Sequence, residues 1–492
     1  MLVRRDIWSL EQEQPWHPVT LAYALAIGEM KRRSSVDPAD PTGWTYQTQV
    51  HGQRPPPGDV WRDQCQHSTW FFLPWHRMYL FWFEQTVRSI VQGLAPIDAA
   101  TKETWALPYW NYTDPRPSTA PPPLLDTLPA AYRSRLLPSG ETNQLFVAQR
   151  DPAVNADPIT HPVGGRLGSR VTSVTRAMAE TLFSSPPQAG VPVGRFGGPQ
   201  IGLHHPLSGT PGALETTPHG TVHNAVGGPG GLMTDPYTAA GDPLFWLHHC
   251  NIDRLWQVWL KMPARSNPAD PEWLDREQFH FHDPAGRDVA HRVRQVVATT
   301  DLGYSYEDLS VAGVSLLEVR VPASATPSHP PEMVGASDRP MVLRGGRASV
   351  AFDMRPPVGP LAALGAARSP SVFLNLEDIQ ADENPGVSYA VFVNLPDDVD
   401  LTDDTFYVGN VALFGVEMAR DLDRDHPGGH GLRYAFDITD LVARLRAEGR
   451  WDESRLTVTL APLTPPPLAG LAPASTADLA PVTVGRVSVY LQ

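Results

Sequence analysis

Cysteine is almost absent: Cys65 and Cys250 are the only two in 492 residues. At most one bridge can form, so a disulfide framework does not organise the chain. Each thiol reads first as a small buried apolar group. Positive charge is also scarce. Lys and Arg total 39 against 53 Asp and Glu, for a formal net charge of −14. Nucleic acids and anionic membranes are held by clustered Lys and Arg, so both are poor partners for this chain. No apolar run is long enough to span a bilayer. Arg4-Arg5 lacks the hydrophobic segment that follows the basic start of a cleavable or twin-arginine leader. The expectation is a cytoplasmic protein, unless a helper protein exports it.

What the chain does have is an ordinary globular balance, 41% hydrophobic and 19% charged, with 52 prolines that fix many loops. Its length asks for two or three domains. Helical spacing of apolar residues predicts helices over 16–33, 44–50, 75–91 and 243–262, and a short one over 174–183. Residues 113–212 are Pro-, Gly- and Ser-rich and read as loops, which makes His161, His204 and His205 solvated loop histidines. From about Val314 the texture changes. The runs 314–321, 348–354, 372–376, 389–395, 405–414, 432–438, 456–460 and 482–491 alternate or are β-branched, with turns between them. They predict an all-β sandwich. The fold class is therefore multidomain α + β. A mainly α, four-helix-bundle domain with long loops covers 1–313, including a middle segment 261–313. A β-sandwich domain covers 314–492, with a Pro-rich linker at about 322–340.

The chemistry lies in the histidines of the helical part. Asp242 is a good helix N-cap and Pro243 suits the first helical position. The helix that follows is apolar almost all round, as a core-crossing helix would be. Yet it carries His248, His249, Asp253 and Arg254, and buried polar groups must be paired or bound to metal. Thr217-Pro218 opens a second helix and Gly227-Gly228 closes it, with His219 and His223 one turn apart on one face. A His-x-x-x-His pair is weak evidence alone and needs a partner cluster. One is available: His51, His67 and His76 sit among Trp and Phe. Neither triplet, His51/His67/His76 or His219/His223/His249, includes a carboxylate. No Cys thiolate completes a tetrahedral zinc site. All-nitrogen triplets with an open position suit copper cycling between its two oxidation states, and two facing triplets can hold O2 between them.

The segment from His67 through Phe72-Leu73-Pro74-Trp75-His76-Arg77 carries a resemblance. So do His219-x-x-x-His223 with Gly227-Gly228, and Asp242-Pro243-Leu244-Phe245-Trp246-Leu247-His248-His249 with Asn251-Ile252-Asp253-Arg254. Together they resemble the type 3 copper family of tyrosinases, catechol oxidases and hemocyanins. The resemblance implies two copper ions. His51, His67 and His76 would hold CuA, and His219, His223 and His249 would hold CuB. His248 would support the ligands from behind, and Phe245 would line the copper pair. Residues 270–281 with 301–306 look like the middle segment of plant polyphenol oxidases, and 376–379 with 434–439 are similar to their C-terminal domain.

Several further roles follow from the resemblance. Cys65, two residues before His67, would form a thioether to that imidazole, whereas Cys250 is read as core. Glu215 would orient a water able to take the phenol proton; the alternative is a carboxylate favoured by the helix dipole. Gly220 stands where many monophenol hydroxylases carry Asn, which points away from strong monophenol hydroxylation, and Asn224 would compensate or orient substrate. Asp253 and Arg254 would be structural, a buried pair bonding the ligand-bearing helices together. The implied reaction oxidises o-diphenols to o-quinones while O2, the co-substrate, is reduced to water. Monophenols and o-aminophenols are further substrate classes, and a copper chaperone is a candidate partner. The β domain would cover the copper entrance and hold the enzyme latent, as a zymogen. A hemocyanin-like O2 carrier is the competing reading.

Overall fold

The computed structural model describes residues 1–54, 58–113, 128–152, 154–155, 170–186, 194–203, 209–311, 330–357, 370–420, 431–463 and 479–492. His161, His204, His205, the expected strand at 314–321 and the first part of the linker lie outside these residues.

The principal helices of the first half are Pro18–Val36, Trp44–His51, Phe72–Gly93, Thr221–Gly227 and Pro243–Lys261. Asp242 caps the last through the Leu244 N–H at 2.8 Å. Its carboxylate is gripped at the same time by Arg150, at 2.7 and 2.6 Å. Pro243 takes the first helical position, where no N–H is needed. The helix then buries nearly every residue as far as Trp259. Trp246 lies flat on Phe83 of Phe72–Gly93, with ring centroids 3.4 Å apart and planes 11° apart. Phe72–Gly93 begins three residues before the expected 75–91, with Phe71 at its N-cap.

Asp253 and Arg254 are both buried, and Asp253 ties its helix to the ligand-bearing helix Phe72–Gly93 through Arg77 rather than bonding Arg254. Consecutive residues on a helix point about 100° apart, and each arginine here finds acceptors elsewhere. Asp253 receives Arg77 at 2.6 Å and the hydroxyls of Tyr304 and Tyr306 at 2.6 and 2.5 Å, with Arg4 at 3.5 Å. Arg4 in turn reaches Glu84 at 2.9 Å. Arg254 instead bonds Asn251, Asn111 and the Ser310 carbonyl. Burial pushes the Asp253 carboxyl up, but Arg77 and Arg4, with the two tyrosine hydroxyls, hold it below the usual range. The hub joins the chain's start to its middle segment, because Leu2–Arg4 pairs in parallel with Tyr304–Tyr306. Asp253→Ala would take from the buried Arg77 its bonded carboxylate and leave Arg4 with Glu84 alone. It should lower stability by about 3–5 kcal/mol, read as a lower thermal midpoint; an unchanged midpoint would refute the hub's role.

The second half is a sandwich of antiparallel sheets. One sheet runs Tyr407–Val411, Tyr389–Val393, Arg455–Pro462, Ala348–Asp353. The other runs Leu432–Asp437, Val372–Ala381, Val482–Leu491, Glu332–Ala336, with Met341–Leu343 also on Val482–Leu491. Residues such as Leu374, Leu376, Val391, Val458, Leu460 and Val487 fill the space between them. Glu332–Ala336 corrects the expected linker, which contains a strand, and Met341–Leu343, just beyond it, was unforeseen. These strands are short and flanked by proline, so alternation had too few residues in which to show. The helix Thr439–Ala447 was also unforeseen; it docks through Val442 and Leu445. The β half has its own apolar cluster, but Phe414, from a loop of that half, is buried in the cluster of the helical half.

Candidate metal centre

The two histidine triplets come together as two facing triangles. His51 ends the helix Trp44–His51, His67 lies in the turn before Phe72–Gly93, and His76 is in that helix's second turn. Their ring centroids are 5.4–5.6 Å apart. His219, His223 and His249 form the second triangle, at 4.6–5.5 Å. Across the gap His76 stacks on His249 at 4.4 Å and 11°, and His67 lies 5.9 Å from His219.

Backbone carbonyls set most of the tautomers. The Nδ1 of His51 donates to Pro236 O at 2.7 Å and that of His76 to Phe72 O at 2.8 Å. His219 Nδ1 donates to Glu215 O at 3.1 Å and His223 Nδ1 to Met233 O at 2.8 Å. Each bond leaves the lone pair on Nε2, as second partners of metal-bound histidines commonly do. The Nε2 atoms then converge. His51 and His76 approach to 3.5 Å, and His223 and His249 to 3.3 Å. Two nitrogens about 2.0–2.1 Å from one tetrahedral ion stand at about this separation. His249 is oriented differently, by stacking on His76 and by Phe245 at 4.2 Å.

Burial, with neighbouring imidazoles adding to it, drives His76, His219, His223 and His249 well below the usual imidazole range. They are therefore neutral, the form that binds metal. His219 Nε2 is buried with no hydrogen-bond partner. Left empty, such an atom costs about 1–3 kcal/mol; an ion between the rings satisfies it. The donor set thus fits two copper ions.

The remaining expected residues fall around these triangles. His248 is within reach of the second triangle, and its nitrogen joins the cluster of His219, His223 and His249. Its Nδ1 is 3.0 Å from the Tyr112 hydroxyl, and burial depresses its pKa to about 3. Phe245 lies 4.9 Å from His51 and 4.2 Å from His249, at the edge of both triangles. Cys65 is fully buried and grouped with His51 and His67, while Cys250 is buried and burial pushes its thiol up.

The Glu215 carboxylate does not serve its own helix. It accepts the Ser68 N–H, next to His67, at 2.8 and 3.0 Å, and Gly212 N–H at 3.4 Å. Burial pushes its pKa up to about 8 against those two donors. Thr217 has the extended backbone of a cap residue, φ −145° and ψ 122°, between a turn at 215–216 and the helical residues that follow. Gly220 has an ordinary helical φ of −65°. Its reason is space: a Cβ there would stand 2.8 Å from Ala412 Cβ of the β half. Asn224 does not turn to a substrate. Its side chain is taken by Ser388 at 3.2 Å and Asn384 at 3.3 Å, both from the β half.

Sequence reasoning missed Phe414 and Asn384. Phe414 stacks on His223 at 4.2 Å and 27°, and its ring is 5.4 Å from His219 and 5.7 Å from His67. Asn384 ties three pieces together: Asn224, the Thr234 carbonyl at 3.0 Å and the Leu413 carbonyl at 2.8 Å, beside Phe414. Tyr434 donates to the Ala412 carbonyl in the same loop. Phe414 lies in an apolar run like many others, so no local signal marked it.

Known proteins resemble the chain along its length. Residues 41–262 match the common central domain of tyrosinase, 267–315 the polyphenol oxidase middle domain, and 330–492 a domain of unknown function. Tyrosinase HcTyr1 of Hahella sp. (strain CCB-MM4) is 33% identical over 489 residues, covering 94% of this chain and 95% of that one. Chloroplastic polyphenol oxidase of Malus domestica is 26% identical, over 91% of this chain and 74% of that protein. The fold matches latent apple tyrosinase with a TM-score of 0.62 at 22% identity, across 100% of this chain and 97% of the other. Latent aurone synthase gives 0.61 at 21%, across 99% and 89%. Facing histidine triangles, a middle segment and near-full-length identity to a bacterial tyrosinase lead to one conclusion: the chain belongs to the type 3 copper family, as a dicopper polyphenol oxidase of the tyrosinase and catechol oxidase type.

Proposed function

We propose that this oxidase converts o-diphenols to o-quinones, two diphenols giving up four electrons and four protons as one O2 becomes two waters. The observation that carries the reading is the pair of buried imidazole triangles, with His76 and His249 face to face at 4.4 Å. His51, His67 and His76 would hold one ion, and His219, His223 and His249 the other. Copper, when bound, supplies the redox change. The protein's own part is placement and proton handling. Phe245 closes one side of the space between the triangles. Glu215, fixed by Ser68 and Gly212, holds a water that takes the phenol proton.

Gly220 leaves that water without a second side-chain anchor, so o-diphenols and o-aminophenols are favoured over monophenols. Turnover of catechol with saturable quinone formation supports this reading. Reversible O2 binding without turnover would favour the carrier alternative, which relatives named as tyrosinase and polyphenol oxidase do not support.

Cys65 and His67 are proposed to be joined by a thioether, which would stiffen a ligand that has no helix of its own. A free thiol beside a redox metal would be oxidised. Intact mass after copper loading is expected to fall by two hydrogens, and Cys65→Ala should abolish the difference. An unchanged mass refutes the bond.

The closed form is proposed to be latent. Phe414 occupies the face of His223 that a phenol ring would approach, and Ala412 rests against Gly220. Asn384 and Tyr434 hold that loop in place. The β half thus covers the centre until it is displaced or removed.

A further inference from the structure

A cavity of about 250 Å³ lies between the two halves, apart from the metal centre. The helical half lines it with Arg176, Glu180, Arg195 and Thr216, and the β half with Tyr407 and Phe436, among others. It is smaller than the ~300–1,000 Å³ of drug-sized sites, so its occupant is small.

The polar groups of the β-side wall are already engaged. The Tyr407 hydroxyl donates to Asn410, whose amide donates to the Arg170 carbonyl. The two arginines are not so committed. Arg176 gives one Nη1 bond to the Val408 carbonyl and lies over the Phe436 ring at 4.7 Å. Arg195 approaches Glu180 only to 3.7 Å. Its Nε is buried without a hydrogen-bond partner. Arg195 also has φ 51°, in the left-handed region that side chains avoid. Strain of this kind persists where the surroundings demand a particular placement. Arg195 is one of the residues that line the cavity. Glu180 attracts both arginines, and the exposed Asp437 adds to this at Arg176.

We propose that this cavity binds a small aryl carboxylate, with the carboxylate on Arg195 and Arg176 and the ring against Phe436 and Tyr407. A guanidinium fork is suited to a carboxylate, and charge-assisted bonds of this sort are the strong ones. Because the walls come from both halves, a bound molecule ties them together, by preferential binding to the joined form. The inference does not depend on which phenol the enzyme oxidises or on whether the closed form is latent.

The test is calorimetric titration of the copper-loaded full-length chain with 3-phenylpropanoate, which has no ring hydroxyl to oxidise. One saturable site is expected. Arg195→Met and Arg176→Met should each weaken it about tenfold or more. Arg195→Lys, which keeps the charge and loses the fork, should fall between. Unchanged affinity in both Met variants would put the ligand elsewhere, the copper ions included, and overturn the assignment. Titration with 3-phenylpropanol and with inorganic phosphate separates the two halves of the recognition. Binding of the alcohol as tightly would overturn the charged half, and equal binding of phosphate would overturn the aromatic half.

Discussion

Phe414→Ala is expected to raise the catechol oxidation rate of the uncleaved chain by about tenfold or more, with copper content unchanged. The ring is 5% exposed and stacked on His223, and it belongs to the apolar cluster of the helical half. Truncating a buried Phe costs about 3–5 kcal/mol. That cost falls on the closed form alone, because the contact is absent once the β half has moved away. Each 1.4 kcal/mol is a factor of about ten in a two-state ratio. Not all of it is realised: Asn384 still bonds the Leu413 carbonyl and Tyr434 the Ala412 carbonyl.

The reference is the chain cut between the described halves, within 312–329, which sets the uncovered rate. Stopped catechol assays on the three forms decide the matter. A cut chain that is faster beside a Phe414→Ala chain that is not would place the cover elsewhere. If neither differs from the parent, the β half does not gate the centre at all.

His249→Ala is expected to leave about one copper per chain and bring turnover down to background, whereas His248→Ala should keep two. The two side chains are neighbours in one four-histidine cluster, so proximity alone does not choose between them. Orientation does. His249 Nε2 is 3.3 Å from His223 Nε2, and its ring is stacked on His76 across the gap. His248 instead has one nitrogen at the Tyr112 hydroxyl, 3.0 Å away, and its ring lies 22° from parallel to that of His219. Loss of such a support typically costs about 10–100-fold in affinity or activity. Loss of a ligand from a three-nitrogen site leaves two donors, which hold copper weakly. Copper counted by atomic absorption in both variants separates the roles. Two ions retained in His249→Ala, with one lost in His248→Ala, would exchange the assignments.

Much of the helical half was legible because its signals are local. Asp242 and Pro243 mark a helix start, and the Leu244 N–H does bond the cap. His219 and His223 are one turn apart, and their rings stand 4.6 Å apart. The β runs at 372–376, 389–395 and 482–491 alternate over enough residues to declare strands, and strands form there. Short elements were not legible. Met341–Leu343 spans three residues, too few for any period. Asp253 and Arg254 were legible as buried structural groups, but their partners were not: helix geometry sends the two side chains to different neighbours, Arg77 and Tyr304 for one and Asn251 and Asn111 for the other.

The sequence by itself determined the chemical identity of the centre. Six histidines in segments of recognisable pattern, with no carboxylate in either triplet, already specify nitrogen donors and hence the kind of metal. Tertiary structure alone decided what stands in front of them. Phe414 is 165 residues beyond His249, Asn384 is 160 beyond Asn224, and neither carries a motif, because a packing contact between separately folded halves imposes no period and no spacing on either. Gly220 shows the difference most clearly: in the sequence it is an Asn that is missing, and in the fold it is the space that Ala412 fills.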